Sequence, residues 1–127
     1  MTDNAGLQES GSRLSPATAD RHRAIASLQE EFEAIDRYDQ RIDATNDSGL
    51  ASVLANNRDE EKEHAAMLIE WLRRHDAVLE GKLRTYLFTS APVTEIEAGV
   101  EANTGAGASP AGASGTFGVG SLKGESL

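Results

Sequence analysis

The chain contains no cysteine, which excludes disulfides and thiolate metal sites. Aromatic residues are also scarce, at 5% of 127 residues. No apolar run approaches the roughly 20 residues that a membrane-spanning helix needs. The N-terminal residues lack the charged-then-apolar order of a secretory signal. We therefore expect a bacterial cytoplasmic protein without a membrane partner.

Positive charge is outnumbered, with 12 Lys and Arg against 21 Asp and Glu, a net charge of −9. Phosphate groups would repel such a surface, so nucleic acid is excluded as a partner. An acidic surface suits a protein that concentrates cations. The same composition is also found in acidic proteins that are merely soluble.

Composition divides the chain into four regions. Residues 1–15 are polar and predict a disordered N-terminus, and residues 16–90 predict a helical domain. Residues 91–116, rich in Gly, Ala and Ser from Ala98 onward, predict a flexible linker, and residues 117–127 follow it. A folded part of about 80 residues has a marginal core unless a metal or a partner subunit supports it.

Two long helical patterns place the domain in the all-α class. The first begins at Ser15, a helix-capping residue, and Pro16, which suits a first turn. Its apolar residues recur at spacings of three and four, as expected for a helix packed along a neighbour. They are Ile25, Leu28, Phe32, Ile35 and Ile42, and Asp39 interrupts them.

The second helix is predicted from about Leu50 to His75. The turn-forming residues 46–49 separate it from the first, and a loop this short makes the two helices antiparallel. A short third helix is predicted from Asp76 to about Leu87, before Pro92.

Two polar residues, Glu61 and His64, lie within the apolar face of the second helix. A carboxylate buried there needs a partner, and the i, i+3 spacing puts both side chains on one face, one turn apart. Glu31, near the middle of the first helix, faces them in an antiparallel hairpin. A Glu-x-x-His pair alone is usually solvated, but the apolar setting and the facing glutamate favour a metal site. Oxygen and imidazole ligands suit Fe(II), Mn(II) or Zn(II).

The number of ligands predicts the assembly. Di-iron carboxylate bundles use one Glu from each of two helices and a Glu-x-x-His from each of the other two. This chain supplies one of each, which is half a site. Two hairpins related by a two-fold axis complete a centre for two iron ions and bury their apolar faces together. Carboxylates can bridge the irons and stay bound as Fe(II) becomes Fe(III).

Several stretches of the domain resemble the encapsulated ferritins. They are Arg21–Ile25, Glu30–Arg41, Asn57–Met67, Glu70–Arg74 and Arg84–Thr89. The resemblance implies an antiparallel two-helix hairpin plus a short third helix, forming a ferritin-like four-helix bundle only on dimerisation. It also implies a ferroxidase centre shared by two chains, and dimers assembled into an open ring, a decamer.

By the same resemblance, Glu31, Glu61 and His64 are the iron ligands and catalytic residues. Tyr38 matches a tyrosine beside the centre. Glu30 and Glu33 match glutamates through which metal reaches it, although their spacing fits a solvated acidic face equally well.

Other positions match the family less well. The sequence departs from better-known members at Arg37, where tryptophan is expected, and at Asn56, where some have histidine. His22 and His75 match no site and are expected to be surface residues.

Apolar residues return near the C-terminus, after the predicted linker. An extended peptide on a tether is a recognised docking mode. The segment resembles the Gly-Ser-Leu-Lys type of peptide that directs cargo into encapsulin shells. Its residues are Phe117, Gly118, Val119, Gly120, Ser121, Leu122 and Lys123. The resemblance therefore implies a location inside an encapsulin nanocompartment, whose shell stores the oxidised iron as mineral.

Two other functions remain open at this point. One is another ferritin-like di-metal oxidase or peroxide reductase, although such proteins normally carry a cysteine-rich domain or a full four-helix chain. The other is a non-enzymatic acidic helical adaptor, which gives Glu61 and His64 no reason to lie in an apolar face.

Overall fold

A computed structural model describes residues 6–105, and all of the regular structure in that range is helical. A 3₁₀ turn at Gly11–Arg13 precedes four helices: α1 (Pro16–Ala44), α2 (Ser48–Arg74), α3 (Ala77–Tyr86) and α4 (Val93–Gly105). The predicted all-α class is confirmed. Within this described range, no helix combines the length and the apolar character needed to cross a membrane. The chain divides into two compact units between His75 and Asp76.

Side-chain caps set where the long helices begin. The Ser15 hydroxyl accepts a hydrogen bond from the Thr18 amide at 3.1 Å, and Pro16 occupies the first turn of α1. The Asp47 carboxylate accepts from the amides of Gly49 and Leu50 at 2.9 and 3.2 Å. Helix α1 begins where the sequence predicts it, and α2 begins two residues before the predicted Leu50. The short connection turns the chain back on itself.

Pairs between the two helices define their direction. Arg58 on α2 forms an ion pair with Asp39 on α1, Nη1 to Oδ1, at 2.9 Å. Towards the start of α1, Arg21 Nη1 donates to the carbonyl of His75, just beyond α2, at 3.3 Å. An earlier residue of α1 thus pairs with a later residue of α2, so the hairpin is antiparallel, as predicted.

The core of this first unit is thin. Its buried apolar side chains are Ala24 on α1 with Ala65 and Leu72 on α2. The two alanines are small, which permits a close approach of the helices. Large apolar side chains remain exposed, and Phe32 keeps 50% of its surface in contact with solvent. The others on the hairpin are Ile25, Leu50, Val53 and Met67.

The predicted apolar stripe of α1 is therefore divided between half-buried and solvent-exposed positions. Leu28, Ile35 and Ile42 are half-buried, whereas Ile25 and Phe32 are exposed. An exposed apolar surface of this kind marks an interaction site in many proteins.

The second unit contains α3 and α4. The Asp76 carboxylate caps α3 by accepting from the Leu79 amide at 3.0 Å, and the helix agrees with the one predicted from about Asp76 to Leu87. Phe88 follows with φ of 61°, a left-handed backbone conformation that is unusual for a bulky residue. Ile96 is the buried residue of α4.

The structure differs from the sequence prediction in the expected linker, residues 91–116. Helix α4 occupies 93–105, and the Pro92 carbonyl accepts from the amides of Glu95 and Ile96 to begin it. Proline suits a helix start as well as a helix stop. Ala and Glu residues then favour continuation. The composition-based prediction gave too much weight to Gly and Ser.

The predicted disordered N-terminus differs in a similar way. Residues 6–15 include the 3₁₀ turn, and Gly6 lies against the His22 ring: a Cβ added at Gly6 would lie 3.3 Å from its Cε1 atom. The remaining predictions for residues 1–5, for residues 106–116 of the linker and for the docking peptide at 117–127 lie outside the described residues.

Candidate metal centre

Three potential metal ligands converge where the two long helices face each other. Glu31 comes from the middle of α1, and Glu61 and His64 come from successive turns of α2. One ligand atom from each lies within 4.8 Å of the others. Within residues 6–105, these three form the group of His, Asp and Glu side chains with this geometry. The residues predicted as ligands are thus brought together by the fold.

His64 lies close to both glutamates of the group. Its Nδ1 atom lies 3.1 Å from Glu61 Oε1 and 3.6 Å from Glu31 Oε1. The two carboxylate side chains are 22% and 26% exposed, whereas the imidazole is 50% exposed. The group is therefore held between the helices on its carboxylate side and accessible on its imidazole side.

Contacts among the three side chains shift their pKa values. The hydrogen bond between the two glutamates raises the pKa of Glu31, with burial adding to it, and lowers the pKa of Glu61. The hydrogen bond to Glu61 is the largest cause that raises the pKa of His64. Two carboxylates this close favour a proton or a cation between them, because both cannot be charged without compensation. A divalent cation can replace these protons.

The donor set fits a divalent transition metal. Two carboxylates and one imidazole are the ligand types preferred by Fe(II), Mn(II) and Zn(II), and they match half of a di-iron carboxylate set. Three ligands leave coordination positions for others. The accessible imidazole side is where such ligands have room to bind.

Tyr38, predicted to lie beside the centre, is half-buried on α1. The contact described for its ring is with Arg41, whose guanidinium carbon lies 5.7 Å from the ring centre. Tyr38 lies two turns after Glu31 on α1, and its role beside the metal stays a prediction.

The second predicted pair, Glu30 and Glu33, is exposed and lies outside the converging group. Glu33 has a cationic neighbour, because Arg37 Nη1 lies 3.8 Å from its Oε1 atom. The sequence analysis did not predict this ion pair, although the i, i+4 spacing of opposite charges was a usable signal.

His75, expected at the surface, is exposed and has a defined structural role. Its ring stacks on Trp71 at 3.8 Å between centroids, and Nδ1 donates to the Trp71 carbonyl at 2.7 Å when it carries the proton. Asn56 is exposed, and His22 is half-buried rather than fully at the surface.

Comparisons with known proteins identify the family of the chain. The model of the EncFtn-like family matches residues 6–90. The chain is 57% identical to an encapsulated ferritin-like protein of Rhodospirillum rubrum, over 88% of this chain and 84% of that protein. It is 50% identical to a ferritin-like protein of Thermotoga maritima, over 74% of this chain and 85% of the relative.

Among solved structures, the fold is similar to that of a protein from Nitrosomonas europaea. The TM-score is 0.67 and the identity 55%, covering 69% of this chain and 97% of the other.

We predict that metal binding at this centre becomes tighter as pH rises. The contact with Glu61 raises the pKa of His64 above its ordinary value, so protons compete with a metal for this ligand, which must lose its proton to bind. Zn(II) affinity, measured by calorimetry in buffers of different ionisation enthalpy, should therefore rise from pH 5.5 to 8 with net proton release.

A glutamate elsewhere on α2 provides the control. Hydrogen bonds from Arg73 and Arg74 lower the pKa of Glu70 to about 2, so it stays ionised throughout this range. Glu70→Gln should keep the pH dependence, whereas His64→Gln should reduce it. An affinity that does not change with pH in the unmodified chain would contradict the assignment of His64.

Proposed function

Because this chain belongs to the encapsulated ferritin-like family, we propose that it is a ferroxidase that oxidises Fe(II) to Fe(III) at a di-iron centre. The observation that carries the proposal is the convergence of Glu31, Glu61 and His64 within 4.8 Å on one hairpin. These residues are half of a di-iron ligand set, and a second copy of the chain supplies the other half. The centre then takes two iron ions per homodimer.

The thin core supports the same dimer. A hairpin that buries Ala24, Ala65 and Leu72 while leaving Phe32 half exposed has apolar surface available for another subunit. A two-fold axis would bring two ligand groups and two apolar surfaces together at once. We further propose that such dimers assemble into a ring, with a decamer as the expected form.

The chemistry follows from the ligands. Glu31 and Glu61 release their shared proton when iron binds, and their oxygen atoms are hard donors that suit Fe(III) as well as Fe(II). Each Fe(II) loses one electron on oxidation. A pair of ions supplies two electrons to dioxygen, which takes up two protons and leaves as hydrogen peroxide. His64 would give up any proton on its ring nitrogen when it binds the iron.

The acidic surface supports delivery of the substrate. The net charge of −9 attracts cations in general. We propose that Glu30 and Glu33, named here the uptake pair, attract Fe(II) beside the centre. Tyr38 would act next to the ligands, through the position of the iron rather than by binding it.

The relative from R. rubrum is named an encapsulated ferritin-like protein. We propose that this chain is likewise the cargo of an encapsulin shell in the bacterial cytoplasm, recruited through residues 117–123. Phe117, Val119 and Leu122 would fill small pockets on the shell protein, and the intervening glycines allow close backbone approach. The shell would then hold the mineral that an open ring cannot enclose.

Substitution of the ligands tests the ferroxidase proposal. Glu31→Ala or His64→Ala removes a ligand from both halves of the symmetric centre. The oxidation rate should fall by more than the roughly 10- to 100-fold that is typical of losing an outer partner of a metal ligand. The measurement is the ferric absorbance that develops when air is admitted to anaerobic protein and Fe(II).

Variants of the uptake pair should differ from ligand variants. Glu30→Ala or Glu33→Ala should slow oxidation at low Fe(II) and recover at high Fe(II), while Asp43→Asn removes an exposed charge of α1 as a control. If Glu30→Ala and Glu31→Ala have the same effect, the distinction between uptake and ligand residues is wrong.

Metal should also drive assembly. Bringing two groups of carboxylates together without a cation is repulsive, so the dimer gains stability from the ion that it binds. The mass from light scattering should rise when Fe(II) is added anaerobically to metal-free protein, and a Glu61→Ala variant should show no such rise. A chain that stays monomeric and still oxidises iron would contradict the half-site.

The docking peptide should be separable from catalysis. Removal of residues 115–127 should leave iron oxidation unchanged and abolish loading into co-expressed shells, which can be measured by the protein content of purified shells. The full-length variant Phe117→Ser/Val119→Ser/Leu122→Ser tests the same segment without shortening the chain, and it should also fail to load. Unchanged loading in both would exclude this segment as the docking peptide.

A further inference from the structure

Asp39 interrupts the apolar stripe of α1, and the fold gives it a charged partner on the other helix. Its Oδ1 atom accepts a hydrogen bond from Arg58 Nη1 of α2 at 2.9 Å. The same guanidinium donates through Nε to Asp59 Oδ1 at 3.1 Å, and 24% of the Arg58 side chain is exposed. These hydrogen bonds, the one to Asp39 first, raise the pKa of Arg58. A permanently charged pair thus takes the place of an apolar contact between the two helices.

This ion pair joins α1 to α2 between the connecting loop and the candidate ligands. Asp39 lies about two turns after Glu31 on α1, and Arg58 lies about one turn before Glu61 on α2. Because the helices are antiparallel, both steps lead from the candidate ligands toward the same end of the hairpin. The ion pair is therefore a neighbour of the carboxylate contact without being part of it.

A second contact between the helices lies on the far side of the candidate ligands. There the Arg21 guanidinium donates to the His75 carbonyl at 3.3 Å. That bond is longer than the one between Arg58 and Asp39, and its acceptor carries no formal charge. The pair of opposite charges is thus the stronger of the two contacts that bracket the candidate centre.

The candidate centre needs such a contact because its own carboxylates favour separation of the helices. Glu31 and Glu61 repel each other whenever both are ionised. The apolar side chains buried between the helices of this unit are few and mostly small: Ala24, Ala65 and Leu72. An ion pair close to the carboxylates adds the attraction that this thin core lacks.

We propose that Asp39 and Arg58 are positioning residues for the metal centre, whose ion pair keeps Glu31 and Glu61 together before a divalent cation binds. This inference rests on the proposed function, because it concerns the same centre. Apparent affinity falls in proportion to the fraction of chains in which a site is formed. The ion pair therefore sets the affinity for metal, and an excess of metal restores the site when the pair is lost.

A role in folding alone makes a different prediction. Loss of the ion pair would then lower the melting temperature of the metal-free chain and leave the metal affinity of the folded chain unchanged. A positioning role lowers the affinity of a chain that is still folded. The two roles are separated by measuring affinity well below the melting temperature, with helix content followed by circular dichroism on the same samples.

A general effect of charge is separated by its sign. Loss of the positive charge of Arg58 would by itself tighten the binding of a cation, and loss of the negative charge of Asp39 would weaken it. Loss of a positioning contact weakens binding in both cases. The variant of Arg58 is therefore the decisive one.

The test uses the full-length chain with Asp39→Asn, Arg58→Gln, Arg58→Lys and the double variant Asp39→Asn/Arg58→Gln. Asp59→Asn is the matched control, because it removes the other carboxylate in contact with Arg58 and changes the net charge as Asp39→Asn does. Asp59 lies on α2 with Arg58, so its loss breaks no contact between the helices. The measurements are the anaerobic affinity for Co(II) and the initial rate of oxidation against Fe(II) concentration.

Asp39→Asn and Arg58→Gln should each weaken Co(II) binding about three- to tenfold, less than the roughly 10- to 100-fold typical of losing an outer partner of a metal ligand. The KM for Fe(II) should rise by the same factor, and the rate at saturation should not change. The double variant should resemble either single variant, since the two side chains act as one pair. Arg58→Lys, which keeps the charge, should retain most of the affinity, and Asp59→Asn should resemble the unmodified chain.

Unchanged Co(II) affinity in Asp39→Asn, or tighter binding in Arg58→Gln, would overturn the inference, as would equal losses in Asp39→Asn and Asp59→Asn. If the unmodified chain oxidises Fe(II) and Asp39→Asn behaves identically, this inference alone fails. If every chain binds Co(II) and none oxidises Fe(II), the proposed function fails, and Co(II) affinity still decides the role of the pair. An unmodified chain that does not bind Co(II) would overturn both.

Discussion

The approach of Glu31 to Glu61 across the hairpin is the interaction on which the rest of the structure depends. Two carboxylates in hydrogen-bonding contact cannot both be charged unless a proton or a cation lies between them. The hydrogen bond to Glu61 raises the pKa of Glu31 and so favours a proton between the two groups, and His64 Nδ1 lies 3.1 Å from Glu61 Oε1. The small buried residues Ala24 and Ala65 allow the helices to come close enough for it. The hairpin thus brings together a group of side chains that a cation would stabilise.

The core of the first unit and the candidate ligand group each lack a part that a second subunit could supply. The first unit buries few side chains, and Phe32 and Met67 present large apolar surfaces to solvent, at 50% and 60% exposure. A domain this small rarely obtains sufficient stability from its own core. The candidate ligand group would be incomplete in the same way, since its three residues match half of a di-iron set. One two-fold contact would meet both needs, so assembly and metal binding are expected to be linked.

Much of this could be predicted from the sequence, because the determining signals are local. Ser15 and Asp47 mark the helix starts through their own backbone hydrogen bonds, and the short turn between the helices sets their direction. The candidate ligands Glu61 and His64 stand out in the sequence because polar residues in an apolar face need a partner. With direction and periodicity known, only one stretch of α1 could supply that partner.

The remaining features depend on competition between weak preferences. Pro92 can end one helix or begin the next, and only the burial of Ile96 decides in favour of α4. Similarly, an exposed arginine can extend into solvent or fold back on a carboxylate, and the sequence does not say which. The pairing of Arg37 with Glu33 matters because it places a positive charge on an acidic surface proposed to attract cations. Net charge alone therefore overstates the attraction, and the local arrangement of charges determines how strongly iron is drawn to the centre.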